Sequence, residues 1–343
     1  MALKADFVSV VLLNFNNSSD TLKCLESLTK LNYPDFEVII VDNKSAPEDL
    51  NNLKKNLGKF RLRIRLLEQA SNLGFAGGNN AGAKASKARY VALLNNDTIV
   101  DKNWLSAMMK VMKAGKKTAI VGSVINNIDR FYGARETKSN VISFFGEPIE
   151  HDKDFTFMAS GASMLFDRKV IGLPFDDAYF MYHEDTYAAW LARLRGYDVR
   201  IARDSMLDHL GGQVRKKLPE LLEFHGEKNR WINVLIFYEA KSLLTLFPLF
   251  LLNLLLTIAV SVPKGRLWIR LKSYFWIAGH LAWIGKKRKE VQRQRTVPDS
   301  QIFSYISYKT PYQMFGFEKI YSAVSRMYTA VMQFQTIERR QPK

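Results

Sequence analysis

Tyr90-Val91-Ala92-Leu93-Leu94-Asn95-Asn96-Asp97-Thr98 is a short apolar run that stops abruptly on two amides and a carboxylate. Val, Leu and Ala without polar interruption suit a strand buried on both faces, as strands of parallel sheets are. The polar residues then lie at the strand's C-terminal end, the edge at which open α/β sheets bind ligands. One carboxylate held beside amide oxygens is a hard-oxygen site for Mg2+ or Mn2+, ions that bridge protein carboxylates to substrate phosphates. An ordinary Asn/Asp-rich turn has the same composition, so the surrounding chain decides.

On either side of this run the same design recurs. Phe7 to Leu13 ends at Asn14-Phe15-Asn16-Asn17 and is followed by a helix start at Ser18-Ser19-Asp20. Phe36 to Val41 ends at Asp42-Asn43, and Leu62 to Leu67, with basic residues alternating, reads as a strand nearer an edge. Asn72-Leu73-Gly74-Phe75-Ala76-Gly77-Gly78-Asn79-Asn80-Ala81-Gly82 then leads into a small-residue helix. Strands that alternate with helices predict a mostly parallel sheet with right-handed crossovers, on whose edge Asn14, Asp42, Asn72 and Asp97 converge. Thr118 to Val124 continues the sheet, and residues 126–157, without a clean period, read as a mobile or substrate-specific loop region. Ser160 to Phe166 is a strand opening on small residues, where a ligand can come close. A helix follows from Glu184-Asp185 to Arg195, capped by Gly196, and two short strands, Val199 to Ala202 and Ser205 to Leu207, lead into Asp208-His209-Leu210-Gly211-Gly212.

Three groups of residues carry chemistry in this reading. Glu184 and Asp185 at a helix N-terminus suit the macrodipole, and a carboxylate there also suits a general base toward a hydroxyl. His209 gains weight as a second ligand because a metal at Asp97 needs more than one. Gly77-Gly78 with Asn79 and Asn80, read as a helix start, present backbone N–H groups to a diphosphate without being a Walker loop.

The joint order of these stretches resembles the family-2 glycosyltransferases of the GT-A fold, especially the rhamnosyltransferase-like branch. The resemblance rests on Val38 to Asn43 with Ser45, Asn72 to Asn80, Leu94 to Asp97, Ser160-Gly161-Ala162, Phe175-Asp176 through Tyr182 to Glu184-Asp185, and His209 with Gly211-Gly212, within residues 7–235. It implies a Rossmann-like GT-A α/β fold and an inverting, metal-dependent transfer of a hexose or deoxyhexose from a nucleoside-diphosphate sugar. By this resemblance Asp185, with Glu184, is catalytic, Asp97 and His209 hold Mn2+ or Mg2+, and Asp42 contacts the nucleobase or ribose. Asn14, Asn43, Asn72, Gly77, Asn79 and Asn96 complete the nucleotide-sugar site, and Tyr182 and His183 are acceptor-site candidates. Two departures stand out: Asn95 replaces the first acid of the family's Asp-x-Asp, and Tyr187 and Leu191 stand where the family often has an acid and an arginine.

The C-terminal third differs in character. Residues 264–343 carry 16 Lys/Arg against 4 Asp/Glu, a net +12, which leaves +5 of the total +17 for residues 1–263. Leu243 to Val262 is 20 residues without charge, long enough for a membrane span. Residues 264–295 mix Trp268, Trp276 and Trp283 with Lys286-Lys287-Arg288-Lys289, an amphipathic, interface-seeking composition, and residues 301–335 are rich in Tyr, Phe and Met. A span would put the basic block on the far side of the bilayer, so an in-plane or re-entrant hairpin is expected instead. The expected division is a catalytic domain over residues 1–240 and a helical membrane-associating region over 241–343. Cys24 is the sole cysteine and Lys4 and Asp6 precede the first apolar run; a reducing compartment, no signal peptide and the cytosolic membrane face are expected. Expected partners are the sugar donor, a lipid-linked glycan acceptor whose hydroxyl is glycosylated, and an anionic membrane surface, not nucleic acid; self-association stays open. A polyprenyl-phosphate sugar synthase and a catalytically impaired nucleotide-sugar-binding protein are the alternatives.

Overall fold

The computed structural model describes residues 6–129, 133–137, 140–151, 155–211, 219–309 and 317–339. They form two compact units: Met1–Ser139 with Asp152–Ala192 and Asp198–Gln213, and Asn140–His151 with Arg193–Tyr197 and Val214–Lys343.

The first unit is an α/β layer structure. Its elements are β1 (Val8–Asn14), α1 (Ser18–Leu28), β2 (Phe36–Asp42), α2 (Pro47–Leu57), β3 (Ile64–Glu68), α3 (Gly74–Ala85), β4 (Tyr90–Asn95), β5 (Thr98–Val100), α4 (Trp104–Ala114), β6 (Thr118–Asp129) and β7 (Gly133–Thr137). After β8 (Asn140–Ser143) and β9 (Pro148–Glu150), which belong to the second unit, come β10 (Ser163–Asp167), α5 (Arg168–Ile171), α6 (Glu184–Leu194) and β11 (Asp198–His209). The sheet order is β3-β2-β1-β4-β10-β6-β11-β5, with β7 on β6. β1 to β4 run parallel, β10 is antiparallel to both β4 and β6, and β11 runs parallel to β6.

The apolar runs become buried strands because helices cover them. Val8, Val10 and Leu12 of β1, Val38 and Ile40 of β2, and Ala92 and Leu94 of β4 share one core with Trp104, Leu105 and Met108 of α4. α3 reaches the sheet through its glycines: a Cβ on Gly82 would lie 2.4 Å from Val11 Cγ1, and one on Gly78 would lie 2.4 Å from Leu13 Cδ1. The antiparallel β10 is fixed from within by hydroxyls, since Ser163 accepts from Trp104 Nε1 at 2.9 Å and meets Ser123 Oγ at 2.7 Å.

Several sequence expectations give way to tertiary pairing. Part of 126–157 is strand: β6 runs on to Asp129, β7 pairs with it, and β8 and β9 pair in the second unit; cross-strand pairing, not periodicity, orders them. The strand expected from Ser160 begins at Ser163, and the two short strands after Gly196 are one, β11, interrupted by a register shift between Ala202 and Met206. α3 starts at Gly74, so Gly77 and Gly78 stand inside the helix and not at its start. Gly212 and residues 310–316, part of the motif after His209 and of the aromatic-rich stretch, lie outside the described residues.

The second unit contains β8, β9, α7 (Pro219–Phe237), α8 (Ala240–Ser261), α9 (Leu267–Gly279), α10 (Leu281–Gln292), α11 (Asp299–Phe303), β12 (Ile306–Ser307) and α12 (Phe317–Val331). It begins before the boundary expected at 240, because α7 packs on α9 and α10 and the β8–β9 hairpin supplies Phe144 and Phe145 to an aromatic core. Arg230, wholly buried on α7, pairs with Glu147 at 2.8 Å and Glu227 at 2.5 Å. Arg270 pairs with Glu227 and with Glu223 at 3.0 Å, and Arg266 with Glu223 at 2.5 Å. Burial alone would raise the Glu227 carboxyl, yet Arg230 and Arg270 hold it down to about 2. Part of the basic block is structural: Arg288 donates to the carbonyls of Leu235 and Tyr238, both at 2.6 Å, and Arg295 donates to that of Phe237. These carbonyls close the α7 C-terminus, where a cation is favourable.

The glycines of α3 yield a stability test. Gly82→Ala should destabilise by about 1–3 kcal/mol despite its better helix propensity, because β-branched Val11 cannot yield. Gly58→Ala, in open space at the end of α2 with φ −65°, should be neutral or stabilising by about 0.4–1 kcal/mol. Urea denaturation of both variants checks the contrast, and equal effects would refute it.

Candidate functional site

Parallel register brings the strand ends level: Asn14 lies beside Asp42, and Leu13 beside Asn95. Asn14 is wholly buried and joins four elements. Its Nδ2 donates to Asp42 Oδ1 at 3.0 Å, Ser45 Oγ at 3.1 Å and Asp49 Oδ2 at 3.0 Å, and its Oδ1 accepts from Thr21 Oγ1 at 2.8 Å. Asp42 Oδ2 accepts from the Ser45 N–H at 3.0 Å. Burial alone would raise the Asp49 carboxyl, but hydrogen bonds from Ser18 and Asn14 hold it below its ordinary range. Asn43 Nδ2 donates to Asn72 Oδ1 at 2.8 Å and to the Gly74 carbonyl at 3.0 Å, which sets the turn into α3. Asn96 Nδ2 donates to Thr21 Oγ1 at 2.9 Å, and Asn79 Nδ2 to the Phe75 carbonyl one turn back at 2.9 Å. Asn14, Asp42, Asn43, Asn72 and Asn96 thus share one hydrogen-bonded edge, whereas Asn79 bonds within its own helix; Asn14, Asp42, Asn43 and Asn79 are buried and Asn72 is exposed.

Asp97 and His209 meet because β5 pairs antiparallel with β11, His209 opposite Thr98. His209 Nε2 is 3.3 Å from Asp97 Oδ1 and 3.4 Å from Asn95 Nδ2, and Nδ1 is 3.2 Å from Asn127 Oδ1. A proton on Nδ1, donated to Asn127, leaves the Nε2 lone pair facing the Asp97 carboxylate. In that tautomer a cation bound by both would satisfy the two lone pairs, whereas the other neutral tautomer donates Nε2–H to Asp97 directly. The pair therefore fits a divalent ion. Among the described residues no third His, Cys, Asp or Glu completes the cluster, so amide oxygens, water or substrate phosphates must supply the remaining ligands.

The second chemical group stands on the same edge. The Asn95 N–H donates to the Ala162 carbonyl at 2.9 Å, and the neighbouring Gly161 N–H donates to Asp185 Oδ2 at 3.1 Å. Burial raises the Asp185 carboxyl above its usual range, and it raises Glu184 well above, aided there by the Asp185 charge. Just before them Phe180, Tyr182 and His183 all have positive φ, at 61°, 68° and 63°. Non-glycine residues there store strain, a feature concentrated at functional sites. Tyr182 is exposed, whereas Tyr187 and Leu191, the departures from the family pattern, are buried and pack inward, Tyr187 against Tyr179 with ring centroids 5.3 Å apart.

Sequence reasoning missed what holds this segment. Asn80 is wholly buried; its Nδ2 donates to the Phe175 carbonyl at 2.8 Å and to Asp177 Oδ1 at 2.6 Å, and its Oδ1 accepts from the Phe175 N–H at 3.3 Å. The Phe180 carbonyl accepts from the Ala76 N–H at 3.1 Å, and a Cβ on Gly74, where φ is +71°, would lie 2.4 Å from that oxygen. The glycine and asparagine pattern of α3 was legible, but the partner of Asn80, 95 residues away, was not. Asp49 and Thr21 were likewise missed, since both sit on helices without a distinctive local pattern.

Among known proteins, the profile of the family described as Glycosyl transferase family 2 matches residues 9–172. The glycosyltransferase GlyG of Streptococcus pneumoniae serotype 4 is 25% identical over 125 residues, covering 36% of this chain and 40% of that protein. The chain thus spans less than half of that relative's length. The UDP-Glc:alpha-D-GlcNAc-diphosphoundecaprenol beta-1,3-glucosyltransferase WfgD of Escherichia coli is 25% identical over 197 residues, covering 56% of this chain and 71% of that protein. In structure, the mannosyltransferase PcManGT from Pyrobaculum calidifontis, solved with GDP-Man and Mn2+, matches with a TM-score of 0.52 at 14% identity, covering 95% of this chain and 87% of that one. The fold is GT-A.

The buried acids generate a prediction about pH. A carboxyl raised on folding lends stability that is present below its unfolded value near 4.5 and is lost as pH rises through the folded value. Glu184→Gln removes that loss, so the variant should match the native chain near pH 4 and exceed it increasingly as pH rises towards 8. Denaturation across pH checks this; a difference that does not change with pH would show that Glu184 is not a desolvated acid.

Proposed function

We propose, from the membership of residues 9–172 in glycosyl transferase family 2, that this chain moves a sugar, with inversion, from a nucleoside-diphosphate donor to a hydroxyl of a lipid-linked glycan at the cytosolic membrane face. The observation that supports the reading is the path from Asp97 and His209 through Asn95, Ala162 and Gly161 to Asp185, which brings a carboxylate–imidazole pair and a buried acid to one edge.

Asp97 Oδ1 and His209 Nε2 would hold Mn2+ or Mg2+, which when bound stabilises the charge on a departing diphosphate. The hub around Asn14 with Asp42, Asn43, Asn72 and Asn96 shapes the floor for the nucleotide, and its rigidity limits the reorganisation needed on binding. Asp185, raised by burial, is a stronger base than an exposed aspartate once ionised, and it accepts the proton of the attacking hydroxyl. Its hydrogen bond from Gly161 fixes the position of one oxygen. Tyr182 and His183, held in strained conformations beside it, face the acceptor. A lipid-linked acceptor is supported by the name of the E. coli relative, whose acceptor is joined to diphosphoundecaprenol, and by the 22-residue helix α8, which is long and apolar enough to cross a membrane.

Two measurements test this. A panel of UDP-, GDP- and dTDP-sugars should include one that raises the melting temperature only with Mn2+ or Mg2+, and chelator should abolish release of nucleoside diphosphate; full turnover in excess chelator would overturn the metal assignment. Asp185→Asn should lower turnover by roughly 10²–10⁴-fold while leaving the donor-induced thermal shift intact. Loss of donor affinity with turnover retained would make Asp185 a binding residue instead.

A further inference from the structure

α8 is amphipathic in the reverse sense to a helix on a water-soluble protein. Its buried stripe is Ser242, Leu246, Leu249, Phe250, Asn253, Thr257 and Ser261, which carries all of the helix's inward-facing polar groups. Its outer stripe is Leu244, Phe247, Leu251 and Leu255, with Val262 just beyond. Leu244 is 78% exposed, whereas no large apolar side chain among the described residues of the first unit exceeds 44%. α12 repeats the inversion beside it: Ser325 and Thr329 are wholly buried, Met327 and Val331 point outward, and the Tyr328 hydroxyl bonds to the Thr245 carbonyl of α8. Trp268 and Phe275 extend the apolar surface onto α9.

From this surface we infer that α8 and α12 lie in the plane of a bilayer, their outer stripes immersed among the acyl chains and the rest of the second unit above the headgroups. The membrane placement belongs to the proposed function and an in-plane or re-entrant arrangement to the sequence expectation; what is new is the face of α8 and α12 that enters the bilayer. Two observations select it. First, the buried stripe runs from Ser242 to Ser261, so the helix is packed on its own unit along its whole length. Asn253, halfway along, accepts from Arg230 Nη1 at 3.3 Å, and Arg230 belongs to the network with Glu147, Glu227, Arg270, Glu223 and Arg266. A perpendicular α8 would carry that network to the bilayer midplane, where charge is most costly. An in-plane helix of about 33 Å keeps it on the aqueous side while the apolar stripe enters by about 5–10 Å.

Second, the charged residues of α8 and the two helices after it are almost all basic. Residues 240–295 contain 11 Lys/Arg and a single acid, Glu290, which pairs with Lys287 at 3.3 Å. A second copy of the chain placed symmetrically on this face would set positive against positive, whereas anionic headgroups complement it. Arg288 and Arg295 are engaged at the end of α7, and the exposed Lys272, Lys286, Lys289 and Arg293 are the cations this arrangement would offer to headgroups.

The test uses the full chain with Lys241→Cys or Lys264→Cys, one at each end of α8. The native Cys24 does not compete, being wholly buried with its thiol pushed up to about 12. In inside-out vesicles from expressing cells, a membrane-impermeant maleimide should label both positions, and in spheroplasts neither. Labelling of one end from each side would establish a span and overturn the in-plane geometry while leaving membrane placement intact. Purified protein should also float with vesicles of phosphatidylcholine and phosphatidylglycerol in equal parts. Leu251→Glu with Leu255→Glu should cut that partition roughly tenfold or more at unchanged melting temperature, since both side chains face outward. Unaltered flotation of this variant would overturn the assigned face. Failure of the native chain to bind any vesicle, or a stable dimer broken by the same variant, would overturn the lipid assignment, whatever the transfer assay shows.

Discussion

One buried amide holds the ligand edge of the sheet together. Asn14 has a carboxylate on β2, another on α2, a hydroxyl after β2 and a hydroxyl on α1 as partners, all near 3 Å. Its burial makes each of these bonds costly to lose, because an orphaned polar group inside a protein forfeits its water without compensation. Parallel pairing then transmits the arrangement along the edge: the level that places Asn14 beside Asp42 also places Leu13 beside Asn95. Asn96 reaches Thr21, already bonded to Asn14, so the loop that carries Asp97 is tied to the same hub.

The glycine-rich helix plays a different part from the one its composition suggests. Gly78 and Gly82 face the sheet and remove the thickness of a side chain, while Asn80 reaches the far segment that precedes Glu184 and Asp185. The strained segment at Phe180, Tyr182 and His183 is held by Asn80 on one side, by the Ala76 N–H on the Phe180 carbonyl, and by the start of α6 on the other. The proposed base therefore owes its position to a helix with which it shares no catalytic task.

In the second unit the usual rule of polar outside and apolar inside is reversed on one side only. Three acids and three arginines on α7, at the start of α9 and on the β8–β9 hairpin neutralise one another, while α8 and α12 turn large apolar side chains outward. Such a surface is stable against acyl chains and unstable against water.

The alternation of strand and helix, the polar termini of β1, β2 and β4, the GT-A resemblance and the basic, apolar character of the C-terminal third could all be read along the chain. These are local properties: periodicity, run length and the residue that ends each run. Folding added what no local pattern holds. Asp97, in the turn between β4 and β5, and His209, at the end of β11, face each other at 3.3 Å, Tyr187 and Leu191 turn inward, the strands within 126–157 are ordered by pairing, and Arg288 and Arg295 close a helix instead of facing outward. Each of these depends on which distant segment a side chain meets. Hydrogen-bond partners and burial are set by packing in three dimensions, and composition along the chain carries no record of them.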